Sequence, residues 1–153
     1  MRVRSWVSIG WLVLVGCGGP SEPDRAAPQS FAGRGFTATV RKDVLHNAVT
    51  PEPGVTLYDF HIGSQPILFL YLGDRPGYPR YTWKPQQEHD ETLPSGLRAH
   101  CRAARSDGAH ARECLITLAT RSPRQLHAFY DKLTPEWAAV SDAIIQSLAA
   151  GPQ

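Results

Sequence analysis

The apolar and polar positions of this chain alternate in short segments separated by breaker residues. The segment 36–42 (FTATVRK) is rich in β-branched side chains and predicts a strand. A second strand, 55–61 (VTLYDFH), follows the breaker Pro51-Glu52-Pro53-Gly54. The continuously apolar 67–72 (ILFLYL) predicts a central strand covered on both faces. The Gly63-Ser64 turn makes these last two a hairpin. Ser122-Pro123 precedes 125–130 (QLHAFY), whose aromatics and short length favour strand over helix. The polar, breaker-rich 84–96 (KPQQEHDETLPSG) reads as a loop. Near the C-terminus the period changes. Thr134 is placed as the N-cap and Pro135 as the first helical residue, and Glu136 suits the positive end of the helix dipole. Trp137, Val140, Ile144 and Leu148 recur at helical spacing as one buried face, and Gly151-Pro152 is expected to stop the helix. The fold class expected is α+β, an antiparallel sheet of five to six strands with a C-terminal helix packed on one face. There is no internal repeat.

One hairpin can be placed residue by residue. Asp107-Gly108 is a two-residue turn signal, because a type I′ turn needs positive φ at both central positions. With the turn there, Ser106 faces Ala109, Arg102 faces Glu113 and Cys101 faces Cys114. Counting outward, Cys101/Cys114 is a non-hydrogen-bonded pair, whose Cα atoms approach to about 4.5 Å. That is short but feasible for a disulfide, so a Cys101–Cys114 bond is expected in preference to two buried thiols. No zinc spacing surrounds the pair and no C-x-x-C is present, so neither a metal nor a redox role is expected. The same register sorts the side chains. Leu97, Ala99, Cys101 and Ala103 share an apolar face with Leu118, Ile116 and Cys114. Arg98, His100 and Arg102 share a largely polar face with Thr117 and Glu113, Leu115 being the exception.

The N-terminus gives an address. Arg2 and Arg4 precede an apolar run over 6–15 that is broken only by Ser8 and Gly10. That is the layout of a secretory signal, and it is too short to span a bilayer of about 30 Å. The run ends in Leu14-Val15-Gly16-Cys17, which resembles the lipobox of bacterial lipoproteins. The resemblance implies a diacylglyceryl thioether on Cys17, cleavage before it and acylation of the new N-terminus. Gly18 stands where an Asp would imply inner-membrane retention, so an outer-membrane anchor facing the periplasm is expected. The periplasm is oxidising, which suits the disulfide. Residues 1–16 are thus read as signal peptide, 17–33 as lipidated cysteine and flexible tether, and 34–153 as a single α+β domain. The Gly/Pro/Ser-rich tether would span about 20–24 Å. Further along, YDFHIGSQPILFLYLGDRPGYP (58–79), the cysteine hairpin and HAFYDKLTPEWAAVSDAIIQSL (127–148) resemble small bacterial envelope proteins of uncharacterised role. The helix ending is also similar to the PsbP-like fold, in which a terminal helix packs on an antiparallel sheet. These resemblances imply a fold and no activity.

Composition then narrows the function. The 153 residues suffice for one domain, and 16 Lys+Arg against 14 Asp+Glu give a net charge of +2. Removing Arg2 and Arg4 with the signal leaves fourteen against fourteen, so no charge excess favours nucleic acid. The sequence has no G-x-S-x-G, no H-E-x-x-H, no phosphate-cradling glycine loop and no uncommitted cysteine beyond the lipidation site. Neither a cofactor nor a metal is expected. Asp59 and His61 could form a ligand or base pair, but the favoured reading is an edge Asp beside a solvated or hydrogen-bonded His. Glu88, His89, Asp90 and Glu91 resemble a metal cluster in composition only, and read as a solvated charge run. His127 reads as packed structure. The segment 73–84 (GDRPGYPRYTWK) brings together Asp74, Arg75, Tyr78, Arg80, Tyr81 and Trp83. Tyr, Trp and Arg dominate interface hot spots and stack on sugars. Those six residues form the candidate binding surface, set against the plainer reading of Tyr81 and Trp83 as core.

The function expected is a non-enzymatic, lipid-anchored protein-binding module. Its partner is expected to be a periplasmic or secreted protein, and a concrete version is an immunity-type protein neutralising an antibacterial toxin. Binding of peptidoglycan or another envelope glycan through Tyr81 and Trp83 is the alternative, and a small periplasmic hydrolase built on Asp59 and His61 is a third. Cys17→Ser is expected to abolish lipid incorporation and release the protein from the membrane fraction. Metabolic labelling with a fatty-acid analogue and fractionation check this.

Overall fold

The computed structural model describes residues 27–74, 84–118 and 124–152. In chain order they form β1 (Pro28–Gly33), β2 (Phe36–Arg41), β3 (Leu45–Val49), β4 (Thr56–Ile62), β5 (Gln65–Gly73), β6 (Gln87–Thr92), β7 (Arg98–Ser106), β8 (Ala109–Thr117), β9 (Gln125–Leu133), α1 (Pro135–Gln146) and β10 (Ala149–Ala150). Seven strands make one antiparallel sheet in the order β3-β4-β5-β9-β8-β7-β6. Three make a second, β1-β2-β10. The α+β class holds, with seven and three strands in place of the expected five to six.

Alternation along the strands sorts the large sheet into two faces. Tyr58 and Phe60 of β4, Leu68, Leu70 and Leu72 of β5, Leu126 and Ala128 of β9, Ile116 of β8 and Ala99 of β7 are buried on one face. The helix and the small sheet both pack there. Phe31 of β1 meets Tyr58 and Phe60 edge-on at ring centroid distances of 5.7 and 5.1 Å, and the Tyr58 hydroxyl accepts a bond from the Arg34 amide at 3.0 Å. The opposite face is less solvated than alternation predicts. Glu113 and His127 are fully buried there, and Phe129 is nearly so. Phe129 stacks on Phe69 at 5.4 Å. The Glu113 carboxylate lies 3.4 Å from His127 Nε2 and 3.5 Å from Arg102 Nη1.

The β7–β8 hairpin has the register its turn dictates. Ser106 pairs with Ala109, Arg102 with Glu113 and Cys101 with Cys114. Asp107 and Gly108 have φ of 50° and 77°, as a type I′ turn requires. The disulfide is formed between Cα atoms 4.1 Å apart, and both cysteines are fully buried.

Three expectations are corrected. Residues 28–33, read as tether, are strand β1, joined to β2 through Arg34-Gly35, where Gly35 has φ of 75°. Residues 84–96, read as loop, contain β6. Its pairing with β7 runs from Gln87↔Ala103 to Thr92↔Arg98. The helix stops at Gln146 with Ser147 as its C-cap, and Leu148 lies beyond it. Thr134 holds the N-cap position without a side-chain cap bond. The buried helical face is Ala138, Ser141, Ile144 and Ile145, with Trp137 and Val140 half-buried at its margin.

Two local irregularities interrupt the ladders of the large sheet. Phe60 pairs with Leu68 and His61 with Pro66, so Ile67 is the extra residue of a bulge. The hydroxyl of fully buried Ser141 donates to the Ile67 carbonyl at 2.7 Å, replacing the lost ladder bond. A second register shift falls between His110 and Arg112, opposite Lys132, whose φ is 54°.

Gly151 does something other than stop the helix. After α1 the chain returns as β10 against β2, with Ala149↔Thr37 and Ala150↔Phe36. Gly151 N then donates to Gly35 O at 3.0 Å. A Cβ at Gly151 would lie 2.7 Å from Phe36 N, a contact with backbone that cannot swing aside. Gly151→Ala is therefore expected to destabilise the fold by about 1–3 kcal/mol, measured by urea denaturation.

Candidate functional site

Two features stand out, one at each edge of the large sheet. The first is a polar, solvent-open cavity of about 370 Å³ beside β6, lined by residues of β6, β7, β8 and α1 and by Tyr130 of β9. Alternation in β8 puts Arg112 on the same face as Cys114. Small side chains at Ala103 and Ala111 leave the space above it open. The Arg112 side chain is only 13% exposed. Its Nη2 donates to Glu91 Oε1 of β6 at 2.8 Å, and its Nη1 donates to Asp142 Oδ1 of α1 at 3.0 Å. Gln146 Nε2 donates to Glu91 Oε1 at 3.1 Å, and the Tyr130 hydroxyl donates to Asp142 Oδ1 at 3.0 Å. Burial first, and then the Asp142 charge, push the Tyr130 phenol pKa well above its ordinary value. Tyr130 is thus fixed as a donor. The network ties the edge strand, the hairpin and the helix to one guanidinium.

The cavity also adjoins the disulfide. Cys101 Sγ lies 3.4 Å from Glu91 Oε1 and 3.7 Å from Arg112 Nη2. Glu91, Cys101 and Cys114 offer ligand atoms within 4.8 Å of one another. Metals bind thiolates, and both sulfurs here are tied up in the disulfide.

The charge run of β6 is ordered by strand alternation. Glu91 and His89 point to the cavity side, with His89 Nε2 and Glu91 Oε2 at 3.3 Å. Glu88 and Asp90 point to the other face and grip His100 of β7. His100 Nδ1 is 2.7 Å from Asp90 Oδ1, and His100 Nε2 is 3.0 Å from Glu88 Oε1. A neutral imidazole has one donor nitrogen, so holding a carboxylate on each nitrogen needs the imidazolium. The bond to Asp90, then the bond to Glu88, raise the His100 pKa above its ordinary value. Gln86 extends the β6–β7 ladder with its side chain. Its Nε2 donates to Arg105 O at 2.7 Å, and its Oε1 accepts from Arg105 N at 3.0 Å.

The second feature is β3. It is the other edge of the large sheet, and all five of its residues are exposed. Leu45 and Val49 are each 55% exposed, and they are the large apolar side chains most open to solvent among the described residues. On the other side of the strand, the His46 ring meets Phe31 at 4.7 Å. The sequence LHNAV carries no Lys, Arg, Asp, Glu or Pro.

The residues singled out from sequence fare differently. Of the proposed binding surface only Asp74 is described, and its Oδ1 accepts a bond from the Arg124 amide at 2.9 Å. Arg75, Tyr78, Arg80, Tyr81 and Trp83, like Cys17, lie outside the described residues. Asp59 and His61 stand on β4 opposite Asn47 and Leu45, with the bulge beginning between Phe60 and His61. Asp59 Oδ1 and His61 Nδ1 are buried, and neither accepts nor donates a hydrogen bond among the described residues. The sequence reading missed Arg112, Glu91, Asp142, Tyr130 and Gln146 as a group. They come from four elements with no shared motif. Only the registers of β6, β7, β8 and β9 together with the placement of α1 align them.

Compared with known proteins, the chain matches no family and no curated protein.

Because the folded His100 pKa is raised, its contribution to holding β6 is complete below the ordinary His pKa of about 6.5. That contribution is lost as pH rises through the folded value. Amide exchange in β6, corrected for intrinsic rate, is expected to speed up over that window. His100→Gln should flatten the dependence, and NMR titration of the His100 ring should give a pKa above that of a free peptide.

Proposed function

We propose that the protein is a lipid-anchored, non-enzymatic protein-binding module of the bacterial cell envelope. Cys17 carries the lipid, and residues 18–27 link it to the start of β1. The partner is a periplasmic or secreted protein that adds an extended segment to the edge of β3.

The observation carrying this reading is the contrast between the two sheet edges. An edge strand offers a row of backbone donors and acceptors, and proteins commonly guard such edges with charge or proline. The β6 edge carries Glu88, Asp90 and Glu91. The β3 strand has no Lys, Arg, Asp or Glu and exposes Leu45 and Val49 on one side. Main-chain pairing there would supply affinity, and the side chains alternating against Leu45 and Val49 would supply selectivity. The rigid sheet behind β3, held through Asn47↔Asp59 and its neighbours, keeps the edge extended before binding.

The test is photo-crosslinking from position 47 in cells producing the full chain, comparing wild type with Leu45→Lys/Val49→Lys. One dominant crosslinked protein is expected for wild type. Its affinity should fall at least about tenfold in the variant, equivalent to about 1.4 kcal/mol. Both positions are exposed, so the melting temperature should move by less than about 4 °C. The same crosslinks at the same yield in both proteins would reject β3 as the binding edge.

A further inference from the structure

The cavity around Arg112 is remote from β3, at the opposite edge of the same sheet. We infer that it is a binding site for a neutral, hydroxyl-rich ligand, a sugar unit of a glycan.

Its volume, about 370 Å³, falls within the range of small-molecule sites. Its chemistry is unlike an apolar drug-type pocket, because ionic and amide side chains dominate the lining. Arg105 and Arg112 are matched by Glu91 and Asp142, so with the other lining groups that can ionise, His89, His110 and Tyr130, counted as neutral, the formal charge of the lining cancels. A ligand carrying net charge would leave one sign of this set facing its like. An uncharged polyhydroxyl ligand meets no such conflict, since each hydroxyl both donates and accepts.

The donors and acceptors are fixed before any ligand arrives. A guanidinium has five N–H donors, and Glu91 and Asp142 each take one from Arg112. The guanidinium plane is therefore set, with donors remaining. Glu91 is held a second time by Gln146, and Asp142 a second time by Tyr130. Asp142 keeps its Oδ2 as an acceptor. Pairing one donor plane with two anchored carboxylates at a shallow cavity suits adjacent hydroxyls of a sugar ring, which present oxygens at fixed spacing. Ordering these long side chains is an entropic cost that folding has already met, which favours a weakly interacting polar ligand.

The closing experiment is an NMR titration of the purified, disulfide-bonded full chain with triacetylchitotriose, maltotriose and citrate as separate probes. Saturable shifts at the Arg112 Nε–H and the Ala103 and Ala111 amides are expected with a sugar, at a dissociation constant in about the millimolar range. Response to triacetylchitotriose alone would assign an acetamido glycan, and response to maltotriose an unacetylated glucan. Asp142→Asn keeps the shape of the site, and Gln87→Ala alters only its rim. Each should weaken binding at least about threefold, while the amide spectrum elsewhere stays in place. Shifts with citrate but neither sugar, or no saturable shift with any probe, would overturn the inference.

Discussion

Cys101 sits directly opposite Cys114, and that pairing fixes the parity of the ladder on which most of the sheet depends. A slip of one residue between β7 and β8 would send every side chain of one strand to the other face. If β8 were the strand displaced, the core would lose Cys114 and Ile116, and Arg112 would leave the cavity. The type I′ turn at Asp107-Gly108 selects the register locally, and the disulfide holds it in place covalently. A loop this short is worth on the order of 2–3 kcal/mol when closed by a disulfide. Strand β9 then reads its register off β8, β5 off β9, and β4 off β5.

Helix α1 completes what the ladder begins. Its apolar side covers β5, β9 and β8, and its polar side delivers Asp142 and Gln146 to the Arg112 network. Ser141 reaches between these roles and satisfies the carbonyl released by the β5 bulge. Ser147 ties the end of the helix to β2, accepting from Thr39 N at 2.8 Å. The following residues become β10, so one short C-terminal segment fastens the two sheets together. Gly151 is confined by that closure, because the Phe36 backbone leaves no room for a side chain.

The two edges of the large sheet have opposite characters. At β6, carboxylates alternate between His100 on one face and Arg112 on the other, so the edge is occupied by its own ion pairs. At β3, the five exposed residues of the strand include no Lys, Arg, Asp or Glu. An edge strand of the first kind supports a preformed polar cavity. One of the second kind is suited to pairing with another chain.

Elements whose signals are local were legible in the order of residues alone. The β7–β8 hairpin followed from Asp-Gly and two cysteines at matched distances from it. The strands around Phe36, Tyr58 and Leu70 followed from apolar or β-branched runs, and the helix start followed from Thr134-Pro135. Strands β1, β3 and β6 had no such signal. PQSFAG, LHNAV and QEHDET are polar or breaker-bearing segments, and they are strands because a neighbouring strand supplies their hydrogen bonds. The same holds for the cavity. Glu91 in β6, Arg112 in β8, Tyr130 in β9, and Asp142 and Gln146 in α1 are ordinary residues in one dimension. Only strand register and helix placement bring them within hydrogen-bond distance. Pairing energy between distant segments decided both outcomes, and a pattern read over neighbouring residues does not contain it.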